Sequence, residues 1–151
     1  QADSVDRTLH NRIIMMDEMR QRMENELRTC LRRLADTEIQ IEKLQVAFRN
    51  MDYPMKVSQT RLDNRHQRSR VENCSDESQF ALVGEVKSVS DSMSVLSDEL
   101  RKSEEMKKEL MVQRGNLERE IMLKRRTINL DRERIQLIRT SFPSTTALTG
   151  Y

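Results

Sequence analysis

A seven-residue apolar repeat constrains this chain more than any other feature. In one frame the d positions run Leu9, Met16, Met23, Cys30, Thr37, Leu44, Met51 and Ser58, while the a positions run from Ile13 to Leu62. Thirteen of these sixteen positions are apolar, counting Cys30. A second frame takes d from Leu82 to Ile138 and a from Val86 to Ile135, with twelve of seventeen apolar. Repeats sustained over that many heptads specify long helices paired along a seam. Polar residues interrupt the seam at Arg20, Thr37 and Ser58, then at Ser103, Lys107, Arg114, Lys124 and Asp131. Arg20 is the clearest interruption in the first run, suited to fixing register or to meeting an acid on a partner.

Composition closes off the globular alternative. Charged residues make up 34% of the chain and aromatic ones 3%, and there is no Trp, so a compact core has little to be built from. Three Gly and two Pro leave few places to turn. The 27 basic and 25 acidic residues give a formal net charge of +2, too balanced for binding a nucleic-acid backbone. No run of 18 apolar residues is present, so no segment reads as spanning a membrane. Cys30 and Cys74 provide neither a disulfide framework nor metal spacing, which fits a reducing compartment. His10 and His66 lack companion ligands and read as solvated surface residues. There is no nucleophile elbow and no phosphate loop, so the chain reads as a non-enzyme without cofactors or metals.

These signals divide the chain into five segments. Residues 1–6 form a lead-in, 7–65 a first long helix, 66–78 a polar connecting loop, 79–140 a second long helix, and 141–151 an extended tail. Pro54 lies within the first helix, yet the heptad count passes through it without a phase shift. Asp52 is placed to cap a fresh start, but a kink near 52–55 followed by continuation suits the unbroken frame better. Pro143 ends the second helix by pushing Phe142 toward extended geometry. Each helix is roughly 85–90 Å long at 1.5 Å per residue. The near-equal lengths predict an all-α fold, two long helices forming an antiparallel coiled-coil hairpin within an elongated, filament-forming rod.

The last third carries a second repeat. Ile121, Ile128 and Ile135 follow the seam, and Leu123, Leu130 and Leu137 recur with the same step two residues later. Two residues turn about 200° around a helix, so this segment is apolar on nearly opposite faces. A helix with two apolar stripes needs neighbours on both sides. Leu123, Leu130 and Leu137 are therefore candidates for lateral packing, and Phe142, Leu148 and Tyr151 for docking of the tail. The Met residues of the first seam read as core, and the cluster from Lys124 to Arg139 as a solvated face or a contact with an acidic surface.

The loop carries a resemblance. Arg68, Ser69, Arg70, Val71, Glu72, Asn73, Cys74, Ser75 and Asp76 align with the tektin nonapeptide RPNVELCRD, matching at Arg68, Val71, Glu72, Cys74 and Asp76. Pro54 to Val57 and Gln59 to Leu62 before it, and Phe80 to Val83, Leu123-Lys124 and Asn129 to Asp131 after it, are similar to tektins in order and spacing. The chain thus resembles the C-terminal half of a divergent tektin and reads as a piece of a longer polypeptide. The resemblance implies that Arg68, Val71, Glu72, Cys74 and Asp76 form an interaction loop. An exposed loop thiol remains the plain alternative for Cys74. It also implies a structural filament protein inside the doublet microtubules of cilia and flagella, polymerising end to end and stiffening the axoneme. The implied partners are other tektin chains, tubulin and other luminal axonemal proteins. The alternative is a soluble coiled-coil scaffold or tether.

Overall fold

The computed structural model describes residues 1–67 and 77–142. Among them the chain is all-α, with α1 spanning Ala2–His66 and α2 spanning Glu77–Ser141. The ends carry charges that suit the helix dipole. Asp3 and Glu77 occupy the first turns, and Arg65, His66 and Arg139 the last. The expected lead-in over residues 1–6 is corrected. The Val5 amide already donates to the Gln1 carbonyl at 3.0 Å, so the helix begins at once. Asp6, a polar residue on an a position, hid that start from the apolar count.

Pro54 sits inside α1, which runs on through it rather than restarting at Asp52. Proline there removes the amide that would bond the Asn50 carbonyl. A Lys56 to Asp52 ion pair of 2.9 Å spans the same turn.

Contacts between the helices fall into two units. The first joins residues 1–33 to the chain from Leu110 onward, and the second covers Leu34–Glu109. Within each unit the helices run antiparallel. In the first unit Arg12 meets Asp131 and Glu24 meets Arg125; in the second, Lys107 meets Glu38. All thirty-three seam positions are buried or half-buried, and the thirteen fully buried residues among those described all lie on the seam. In the first unit Ile13, Ile128 and Ile135 form a buried cluster, with Leu9 and Met16 packed against it. Burying one such side chain stabilises by about 1.5–3 kcal/mol relative to exposing it.

Candidate interaction surfaces

The seam is closed by polar pairs as well as by apolar packing. Asp131 occupies a d position and is 1% exposed. Arg12 Nε lies 3.1 Å from its Oδ2, and Arg134 Nη1 lies 3.6 Å from its Oδ1. These are ion-pair distances without hydrogen-bond direction, so neither carboxylate oxygen has a directed donor. Arg139 faces Asp6 at 3.4 Å.

Arg20 resolves the seam's clearest interruption. Its Nε donates to Asp17 Oδ1 at 3.0 Å and its Nη1 to Glu24 Oε2 at 2.7 Å, while Arg125 of α2 donates to the other oxygen of Glu24. Arg20 is thus paired within its own helix, and Glu24 carries the link across. The bonds from Arg125 and Arg20 hold the Glu24 carboxyl below its ordinary value. The bonds to Asp17 and Glu24 raise the guanidinium of Arg20 in turn.

Cys30 is buried, as a d-position cysteine should be, and its Sγ–H donates to the Leu110 carbonyl at 3.3 Å. Ser58 is fully buried, and its hydroxyl has no partner. Among the described residues no group of three His, Cys, Asp or Glu is placed to hold a metal ion. No helix of the described residues is long and apolar enough to cross a membrane.

The outer faces carry the remaining apolar surface. Leu123, Leu130 and Leu137 are exposed by 60%, 46% and 66%, while Ile121, Ile128 and Ile135 are buried. The two stripes therefore lie on different sides of α2, as their offset requires. Phe142 is also exposed, and its amide donates to the Ile138 carbonyl at 2.7 Å. Leu148 and Tyr151, and the loop residues Arg68, Val71, Glu72, Cys74 and Asp76, lie outside the described residues.

A third stripe went unread in the sequence. Ile39, Val46 and Tyr53 are exposed on α1 by 52%, 44% and 76%, at the same seven-residue step. The signal was available, but it occupies f positions, away from the seam being counted.

Two long helices paired antiparallel through a heptad seam, with apolar rungs left on their outer faces, define a coiled-coil structural protein. The sequence profile of the Tektin family matches residues 1–143, and the chain belongs to that family. All 151 residues align with Tektin-4 of Rattus norvegicus at 34% identity, of Mus musculus at 33% and of Xenopus laevis at 34%. In each case the chain spans 34% of the relative's length, about a third.

Proposed function

We propose that this chain is part of a structural filament protein in the doublet microtubules of cilia and flagella. It lies in the lumen of the doublet, polymerises end to end with other tektin chains, and contacts tubulin and other luminal proteins. Its work is mechanical. A seam held by apolar rungs and cross-helix ion pairs resists bending, and the outward apolar stripes pack against neighbours. The loop residues Arg68, Val71, Glu72, Cys74 and Asp76, and the tail residues Phe142, Leu148 and Tyr151, make the contacts at the ends.

One observation carries this reading. A chain of the tektin family holds its seam closed while Leu123, Leu130 and Leu137 stay in water. Such rungs are costly on a solitary molecule and useful in an assembly.

Sequential extraction of isolated axonemes tests it. A filament component stays with axonemes washed in detergent and in high salt, and cryo-EM places it inside the doublet. Complete release by detergent alone would instead identify a soluble tether.

A further inference from the structure

Exposed large apolar residues are scattered along both helices, but among the described residues only two sets of three recur at seven-residue steps. One is Leu123, Leu130 and Leu137, in the first unit; the other is Ile39, Val46 and Tyr53, in the second. Each set spans fifteen residues, fourteen steps of the helix or roughly 21 Å. Equal rung number and equal spacing make the two sets able to interdigitate rung for rung.

The charges of the two units are opposite. The first holds 15 Lys and Arg against 10 Asp and Glu, a net of +5; the second holds 12 against 15, a net of −3. A copy of the first unit is therefore attracted to a copy of the second and repelled by another of its own kind.

From the matched rungs and the opposed charges we infer that the occupant of the Leu123, Leu130 and Leu137 stripe is the Ile39, Val46 and Tyr53 stripe of a second copy of this chain. The contact deepens the filament reading above and rests on it, because it names the surfaces through which copies meet. It is heterologous: each copy offers one stripe of each kind, so pairing leaves a free stripe at both ends of the assembly. Contacts of that type propagate unless a rotation closes them.

Photo-crosslinking of the purified full chain tests this directly. The substitution Leu130→p-benzoylphenylalanine is made in isotopically heavy protein, which is mixed with light protein and irradiated. The expected heavy–light adducts fall on residues 39–53. Val46→Lys, at an exposed site, removes them without altering helicity and weakens self-association by about tenfold, equivalent to ~1.4 kcal/mol. Raising ionic strength from low to physiological salt also weakens association, as attraction between oppositely charged units requires. Adducts elsewhere on an oligomer would overturn the stripe pairing and leave end-to-end polymerisation standing. A chain that stays monomeric at every concentration would overturn both.

Discussion

The two units solve the same packing problem with different materials. In the first, both helices bury seam residues fully: Ile13 and Cys30 from α1, and Leu110, Leu117, Ile121, Ile128, Asp131 and Ile135 from α2. In the second, full burial among the described residues is confined to α1, at Leu34, Thr37, Ile41, Leu44 and Ser58, and every α2 seam position is only half-buried. The α2 seam also changes in composition between the units. Up to Lys107 it mixes Leu82, Met93, Leu96 and Leu100 with Val86, Val89, Ser103 and Lys107, which are short or end in charge. From Leu110 onward Leu and Ile dominate. Cross-helix ion pairs among the described residues include Asp6–Arg139, Arg12–Asp131 and Glu24–Arg125 in the first unit and Glu38–Lys107 in the second.

That contrast can be broken by substitution. Ile128→Ala empties a site that is 3% exposed, at the centre of the isoleucine cluster, and should cost about 2–5 kcal/mol in urea unfolding. Val89→Ala, at a half-buried site of the second unit, should cost about 1 kcal/mol or less. Equal costs would erase the distinction between the units.

Arg12→Ala should come next, at about 2 kcal/mol. It strips Asp131 of its nearest cation while the carboxylate stays buried, with only Arg134 at 3.6 Å left to offset it. Asp131→Leu sharpens the point. It removes the buried charge itself, and Arg12, about half exposed, turns to water, so Asp131→Leu should be more stable than Arg12→Ala. In the second unit, Ser58→Ala should be neutral or stabilising by up to about 1 kcal/mol, since it deletes a buried hydroxyl that bonds nothing.

The smallest effect concerns pH. Glu24 has its folded-state value depressed by Arg125 and Arg20, so its contribution is fully present above the ordinary carboxylate range and is lost as pH falls through the folded value. Thermal melts of Glu24→Gln should therefore be flatter than wild type on the acid side and lie below it near neutrality. A variant that matches wild type at every pH would remove the Arg20–Glu24–Arg125 chain from the list of stabilising contacts.

Much of this fold was legible because burial in a two-helix seam is periodic, and periodicity survives in a single sequence. The seam frames placed every fully buried residue among those described, including Thr37, Ser58 and Asp131, whose polarity argued against them. Which residues meet across the seam was not legible. Arg12 faces Asp131 because of the register, and nothing local to either residue encodes it. The early start of α1 was hidden by Asp6, polar at a seam position and balanced by Arg139 far along the chain. The stripe of Ile39, Val46 and Tyr53 escaped for another reason: a count made for one face does not see rungs on another.

The claim underlying all of this is that α1 and α2 pair antiparallel in the register that sets Glu24 beside Arg125. A spin-label distance between Glu18 and Arg126, both exposed in the first unit, measures it within a single molecule. Helix axes 8–10 Å apart, with labels on their outer faces, predict a narrow distribution at roughly 2–3 nm. A broad distribution centred well beyond roughly 5 nm, in protein whose helicity is intact, would contradict the pairing and the outward stripes that follow from it.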